Sequence, residues 1–287
     1  MSIPSGRGSA DGVDADTDRW VDAHVHHWAL ARGDYAWLTP DLTALYRDFG
    51  AEDYRSAGGA GSRILVQAAP TVAESRYLLS LAHADPAVVG VVGWVPLDDP
   101  DAVDELARDS RLRGIRPMIQ DQPDTDWMLA ERWTPGIEAC ADRDLVFELL
   151  IQPRHLDNTR ILLDRHPDLR PVICHAAKPA IAEGAFDAWA CGIAALARDT
   201  GAACKLSGLL TEAGPRATVA DLRPYVEHLL EQFGPSRLIW GSDWPVVTVG
   251  GSYERWVEVT VGLLADLTAA ERDAVLGGNA RHTYRIA

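Results

Sequence analysis

The segment VDAHVHHWAL, residues 21–30, places two histidines two residues apart at the end of the first apolar run of the chain. If this run is a β-strand, side chains alternate across it, so His24 and His26 share one face while Val25 and His27 share the other. Two imidazoles on one face are available for a metal ion or a substrate carbonyl. Short histidine clusters are also common as half-buried structural residues, so this segment alone leaves both roles open.

Several later apolar runs also finish in polar or ionisable side chains. They are Arg116, Gln152, His175 with Lys178 just beyond it, Lys205 and Asp243. If these runs are parallel strands of one barrel, their carboxyl ends meet at one mouth, and the side chains converge on one site. The alternative is that some of them form buried structural ion pairs, above all Lys178 and Lys205.

Three imidazoles and one carboxylate, from His24, His26, His175 and Asp243, allow two kinds of hydrolytic chemistry. They could hold one divalent ion with an open position for water, whose pKa then falls to about 7. Without a metal, imidazole N–H groups would polarise a substrate carbonyl, and Asp243 would take a proton from the attacking water. Both alternatives predict a hydrolase.

The elements that position these residues alternate between strands and helices. Eight short apolar, β-branched runs cover residues 21–26, 63–69, 88–97, 112–119, 145–151, 171–177, 204–210 and 237–246. Amphipathic helical segments lie between most of them, including residues 71–85, 99–110, 154–168 and 222–233. Near-continuous apolar strands separated by helices predict an α/β fold, a single-domain (β/α)8 TIM barrel.

A doubly wound nucleotide-binding fold is the main competitor. Its fingerprint is a glycine-rich loop directly after the first strand. The glycines of SAGGAG, residues 56–61, precede the second strand instead, so we interpret them as a flexible connection.

Composition narrows the class of protein further. The 287 residues are 47% hydrophobic and carry a formal net charge of -15, which suits one globular domain and disfavours nucleic acid as a partner. The first 18 residues, rich in Gly, Ser and Asp, predict a disordered tail, with the barrel over residues 19–287. No apolar stretch is long enough for a membrane span or a signal peptide, so we expect no membrane partner and a cytoplasmic protein.

The four cysteines are Cys140, Cys174, Cys191 and Cys204. They show no C-x-x-C spacing, and most lie inside apolar segments. We therefore expect reduced packing residues instead of disulfides or a zinc cluster.

An ordered set of motifs resembles a known family. DAHVHHW, GVVGWV, GIRPMIQD, ICHAAKP, KLSGL, GSDWPV and the closing GNARHTYRI together resemble the amidohydrolase superfamily, in its sugar-lactone lactonase branch. L-fuconolactonases, L-rhamnono-lactone hydrolases and 2-pyrone-4,6-dicarboxylate lactonases are the relatives in question. The resemblance runs from about Trp20 to the C-terminus. It implies a hydrolase that opens a cyclic ester, most simply a sugar (aldono-)lactone, in carbohydrate catabolism.

The resemblance also implies roles for individual residues. His24 and His26 correspond to the paired histidines of the first strand, His175 to the later strand-end histidine, and Asp243 to the aspartate of the last strand. Binuclear members carry a bridging lysine and a further histidine on the middle strands, where this chain offers Arg116 and Gln152. We therefore expect no obligatory cofactor and at most one divalent ion, zinc, held by these three histidines and Asp243.

Further residues are predicted to contact a small-molecule substrate. Arg116 can direct two N–H donors to a carbonyl or carboxylate, and Lys178 and Lys205 would add positive charge to the mouth. The indoles of Trp28 and Trp244 suit the apolar faces of a sugar ring, whereas His27 and His282 are expected to be structural.

Two other functions remain open at this point. One is metal-dependent, non-oxidative decarboxylation of an unsaturated or aromatic acid on the same barrel; the other is ligand binding without turnover. The identity of the lactone and homo-oligomer formation are also left open by the sequence.

Overall fold

The computed structural model describes residues 17–286, and within them eight parallel strands form one sheet in sequence order. The strands are β1 (Val21–Val25), β2 (Ser62–Val66), β3 (Val88–Gly93), β4 (Leu112–Ile115), β5 (Val146–Leu149), β6 (Arg170–Ile173), β7 (Ala203–Leu206) and β8 (Leu238–Trp240). The sheet is a barrel whose helices are interleaved with the strands, so the predicted (β/α)8 TIM barrel is confirmed.

Helices follow each strand in turn. They are α1 (Ala51–Ser56), α2 (Val72–Ala84), α3 (Pro100–Leu106), α4 (Thr134–Asp142), α5 (Leu156–Arg165), α6 (Asp187–Asp199), α7 (Leu209–Ala213), α8 (Val219–Phe233) and α9 (Tyr253–Leu263). Two C-terminal helices, α10 (Ala269–Asp273) and α11 (Asn279–Tyr284), flank a π-helical turn at Ala274–Gly278. The glycine-rich segment 56–61 connects α1 to β2, as predicted.

Backbone hydrogen bonds at the carboxyl ends of the strands close the barrel between its first and last strands. The Asp243 N–H donates to the His24 carbonyl at 2.9 Å, and the His26 N–H donates to the Trp244 carbonyl at 2.7 Å. The two predicted site segments, DAHVHHW and GSDWPV, are therefore neighbours in the ladder.

The interior of the barrel is filled from its amino-terminal end by apolar side chains. Val21, Val66 and Val172 pack there with Tyr284 and Ile286, which come from the end of the chain. The closing motif GNARHTYRI thus plugs the base of the barrel and leaves the carboxyl ends of the strands free for chemistry.

Asp22 is a buried carboxylate that ties β1 to its surroundings. It accepts hydrogen bonds from the backbone N–H groups of Ser242 at 2.8 Å and His24 at 3.2 Å, and from the Tyr54 hydroxyl at 3.0 Å. Burial raises the pKa of Asp22 from 3.8 to about 6, although the hydrogen bonds from Ser242 and His24 act in the opposite direction.

This raised pKa predicts a pH-dependent stability. A carboxyl whose pKa is higher in the folded than in the unfolded state stabilises most below its unfolded pKa of 3.8, and this stabilisation is lost as the pH rises through about 6. Asp22→Asn removes the titrating group. We expect the free energy of unfolding of the wild type, relative to this variant, to fall between pH 4 and pH 7 in urea titrations. Two parallel curves would contradict this assignment.

Three remaining expectations concern the periphery. Residues 1–16 of the predicted tail lie outside the described residues, and Thr17–Arg19 form a short 3-10 helix. All four cysteines are free thiols, with Cys191 exposed and the other three buried, as expected. Among residues 17–286, no helix has the length and apolar character needed to cross a membrane.

Candidate active site

Four of the predicted residues meet at the carboxyl ends of the strands. The Asp243 Oδ1 atom lies 3.4 Å from His26 Nε2, 3.7 Å from His24 Nε2 and 3.8 Å from His175 Nε2. All four side chains are buried. The predicted convergence of β1, β6 and β8 on one point is therefore present in the structure.

His24 and His26 lie together for a reason that simple strand alternation does not give. The register of β1 against β2 is irregular between Asp22 and Val25. In a regular strand, Ala23 and His24 would face opposite sides. Ala23 belongs to the apolar cluster inside the barrel, and the His24 imidazole also faces the barrel interior, where it contacts Lys205. His24 and His26 then stack edge to face with their ring centroids 4.9 Å apart. A local irregularity at the end of β1 thus presents both imidazoles to the mouth.

His175 reaches the site through an unusual turn. His175 and the three residues after it all have positive φ values, with φ of 50° at His175 itself. Its Nδ1 atom contacts the Ser207 hydroxyl at 2.8 Å. A Cβ atom at Gly208 would approach that Nδ1 atom to 2.8 Å, so the KLSGL motif supplies both a partner and the space for His175.

Asp243 is held as a carboxylate. Burial alone would raise its pKa, but the nearby rings of His175 and His26 and the ammonium of Lys178 lower the pKa below its ordinary value of 3.8. The pKa values of His24, His26 and His175 are all lowered, chiefly because burial disfavours the charged ring. At neutral pH the site therefore consists of one anion and three neutral imidazoles.

His26 has its proton assigned by its partner. Its Nδ1 atom lies 2.8 Å from the Val66 carbonyl, which can only accept a hydrogen bond. The lone pair is then on Nε2, directed towards Asp243. Two acceptors face each other here, so the space beside them suits a water molecule or a cation.

Arg116 lies beside His24, as its position at the end of β4 predicted. Its NH1 group is 3.1 Å from His24 Nε2, and its NH2 group donates to the Gln67 carbonyl. Gln67 returns a hydrogen bond from Nε2 to the Arg116 carbonyl at 2.8 Å. The guanidinium is buried and held rigidly, with donors facing the same space as the histidines.

The acceptor side of the site fits one metal ion. Imidazole nitrogens and a carboxylate are the ligand types of zinc, and ligand atoms of His24, His175 and Asp243 lie within 4.8 Å of one another. His26 presents a lone pair, whereas His24 lies between two cationic donors. The residues that would hold an ion are therefore His175 and Asp243 together with His24 or His26, and the ion would act as a Lewis acid.

Lys205 was predicted to contact substrate, and the structure corrects this. Its side chain is fully buried beneath His24, where its ammonium donates to Glu148 at 2.6 Å. The same ammonium contacts the Ala23 carbonyl and His24 Nδ1. The alternative of a buried ion pair, left open by the sequence, is the one present.

Trp28 and Trp244 were also predicted to stack on a sugar ring, and both lie inside the protein instead. They are 1% and 2% exposed, respectively. Both rings pack edge to face on Phe49, and Trp28 Nε1 donates to the Arg47 carbonyl at 2.7 Å. Their faces are covered by the long segment between β1 and α1, so they support the mouth without forming its surface.

This packing predicts that Trp28→Ala is a stability variant. Removing a fully buried indole typically costs about 3–5 kcal/mol of folding free energy. We expect that loss in urea unfolding, together with a KM near the wild-type value in the folded fraction. A large rise in KM without loss of stability would instead support the prediction that Trp28 contacts the sugar.

Lys178 lies at the mouth itself. Its Nζ atom is 3.9 Å from Glu212 Oε1, and both side chains are one quarter exposed. With Gln152, Arg154 and Ala180 they line a cleft of about 320 Å³. A larger groove of about 800 Å³ lies at the opposite end of the barrel, away from the catalytic strand ends.

Sequence analysis missed several buried residues that support the site, among them Gln67, Glu148 and Ser207. Glu148 pairs with Lys205, and Ser207 contacts His175. The sequence did contain a signal for Glu148, because Glu148 and Lys205 carry opposite charges inside two otherwise apolar strands. Such charges are seldom buried without a partner.

Comparison with known proteins agrees with this geometry. The model of the Amidohydrolase family matches residues 21–286. An L-fucono-1,5-lactonase of Burkholderia ambifaria is 43% identical over 93% of this chain and 95% of its own length. An L-fucono-1,5-lactonase of Burkholderia multivorans is 34% identical, over 93% of this chain and 96% of its own length.

A solved structure is similarly close. The crystal structure of an amidohydrolase from Burkholderia multivorans with bound zinc is 33% identical and superposes with a TM-score of 0.87. The match covers 93% of this chain and 99% of that one.

Proposed function

The chain belongs to the amidohydrolase family, and from this premise we propose that it hydrolyses a sugar (aldono-)lactone. The observation that carries the proposal is a site with two halves. One half, Asp243 with His26, presents hydrogen-bond acceptors; the other, the Arg116 guanidinium beside His24, presents donors. Ester hydrolysis needs both: acceptors for an attacking water and donors for the carbonyl oxygen.

Asp243 is the general base of the proposed reaction. Its carboxylate and His26 Nε2, 3.4 Å apart, accept the two hydrogens of one water molecule. The water oxygen attacks the lactone carbonyl carbon while its proton passes to Asp243. Because the pKa of Asp243 is below 3.8, the carboxylate is ready to act throughout the neutral range.

Arg116 and His24 stabilise the oxyanion. Negative charge moves to the carbonyl oxygen as the tetrahedral intermediate forms. The NH1 group of Arg116 and the Nε2 atom of His24, 3.1 Å apart, face the same space, where both can bind that oxygen.

Collapse of the intermediate opens the ring. The acyl carbon–oxygen bond of the lactone breaks, and protonated Asp243 returns its proton to the departing alkoxide. The product is a hydroxy acid, which releases one proton to solvent at neutral pH. One carboxylate thus acts first as base and then as acid.

Two observations support the substrate class: the names of the relatives and the polar side chains at the mouth of the barrel. Two relatives are named L-fucono-1,5-lactonase, which agrees with the predicted opening of a cyclic ester. Lys178, Glu212 and Gln152 line a cleft at the mouth and offer polar partners for sugar hydroxyl groups.

A pH-indicator assay tests the proposal. The purified chain is mixed with five- and six-membered aldonolactones, a pyrone dicarboxylate lactone and aromatic carboxylic acids, each with and without a chelator. We expect proton release from at least one aldonolactone far above its spontaneous rate. Carbon dioxide release from an acid, with every lactone untouched, would replace this proposal with the decarboxylase alternative.

A further inference from the structure

A closed polar cluster lies beneath His24, inside the barrel. The Lys205 ammonium lies 2.6 Å from Glu148 Oε1, 2.8 Å from the Ala23 carbonyl oxygen and 3.1 Å from His24 Nδ1. Lys205, Glu148 and His24 have no exposed surface. This cluster touches the catalytic imidazole from the side opposite to the mouth and is not used in the reaction proposed above.

The charge state of the cluster is set by its contacts. Glu148 accepts hydrogen bonds from the Tyr284 hydroxyl at 2.6 Å and from the Cys174 thiol at 3.1 Å. Burial would raise the pKa of Glu148, but the charges of Lys205 and Arg116 lower it below its ordinary value. The Lys205 ammonium beside this carboxylate has only N–H donors to offer.

The three protons of Lys205 match its three partners. Glu148 and the Ala23 carbonyl take two, so the third points to His24 Nδ1. A neutral imidazole has one N–H donor and one lone pair. If Nδ1 accepts from Lys205, then Nε2 carries the proton.

With that proton in place, His24 Nε2 faces another donor. His24 Nε2 lies 3.1 Å from the NH1 group of Arg116, which is always a donor. Two N–H donors facing each other lack an acceptor between them. A carbonyl oxygen placed there would satisfy both at once.

We propose that Lys205, anchored by Glu148, is a positioning residue that fixes His24 as its Nε2–H tautomer. The tautomer makes His24 the second donor to the substrate oxygen, beside Arg116. The identity of that oxygen rests on the proposed lactone hydrolysis, whereas the tautomer itself does not. An ion pair with a purely structural role would leave the His24 proton free to occupy either nitrogen.

Nitrogen-15 NMR of the substrate-free, metal-free wild type tests the tautomer directly. Histidine ring nitrogens are labelled, and the His24 signals are assigned by their loss in His24→Gln. We expect a protonated Nε2 and an unprotonated Nδ1 that accepts a hydrogen bond. A proton on Nδ1 in the wild type would overturn the proposal, and this result does not depend on any variant folding or on any substrate being found.

The double variant Lys205→Met/Glu148→Gln removes both charges while keeping the approximate size of the two side chains. We expect its His24 signals to shift towards the Nδ1–H tautomer. Loss of one oxyanion donor should lower kcat about 10²–10³-fold, with a smaller change in KM. A folded double variant that keeps the Nε2–H tautomer and the wild-type kcat would overturn the proposal.

Tyr284→Phe is the matched control. It removes one hydrogen bond to Glu148 and leaves the three contacts of Lys205 in place. We expect lower stability with an unchanged His24 tautomer and a kcat near that of the wild type. If no lactone is turned over by any form, the proposed function fails while the tautomer results still decide this inference.

Discussion

Asp243→Asn is expected to abolish lactone hydrolysis while leaving the barrel folded. The amide keeps the size of the side chain, but it cannot take a proton from water. Loss of a general base typically lowers kcat about 10²–10⁴-fold. The measurement is initial-rate proton release on the best lactone, together with circular dichroism to verify the fold.

The matched control for this variant is Asp104→Asn, at a partly exposed carboxylate paired with Arg143. It should keep the wild-type rate. A folded Asp243→Asn protein with more than half of the wild-type rate would remove Asp243 from the mechanism.

The wild-type pH profile follows from the same group. The carboxylate is the active form, and its pKa lies below 3.8 in the folded protein. The midpoint of the acid limb of kcat/KM should therefore lie below the ordinary carboxyl pKa of 3.8. An acid limb centred near pH 6 would assign the base to another group.

Arg116→Met is expected to have the second large effect. The variant removes one of the two donors to the oxyanion, which typically lowers kcat about 10²–10³-fold. It also leaves the buried Gln67 carbonyl without its guanidinium partner, so some loss of stability is expected. Steady-state kinetics on the best lactone give kcat and KM separately.

Arg76→Met provides the comparison, because Arg76 is an exposed arginine paired with Glu105 on the outer helices. Its kinetics should match the wild type. If Arg116→Met raises only KM, then Arg116 binds ground-state substrate and does not stabilise the transition state.

The sequence was sufficient for the fold because the pattern of the barrel is local. Each strand is a short apolar run and each helix a separate amphipathic segment, so counting them predicts eight repeats. The residues that end these runs were found for the same reason. His24, His26, His175, Arg116 and Asp243 all lie at the mouth because strand ends do.

The depth and exposure of side chains could not be predicted in this way. Lys205 lies in β7 itself, below the mouth, where only a partner such as Glu148 can compensate its charge. Trp28 is covered by the segment between β1 and α1, in which Phe49 packs on the indole ring. That segment has no periodic pattern in the sequence from which the contact could be predicted. Both errors arise from contacts between distant segments.

The most direct test of lactone opening by Asp243-activated water is hydrolysis in water labelled with oxygen-18. The account predicts that one labelled oxygen enters the carboxylate of the product and none enters its newly formed hydroxyl group. It also predicts that Asp243→Asn no longer catalyses this incorporation. Label found in the hydroxyl group would contradict the account. So would a panel of aldonolactones of which none opens faster with the protein than without it.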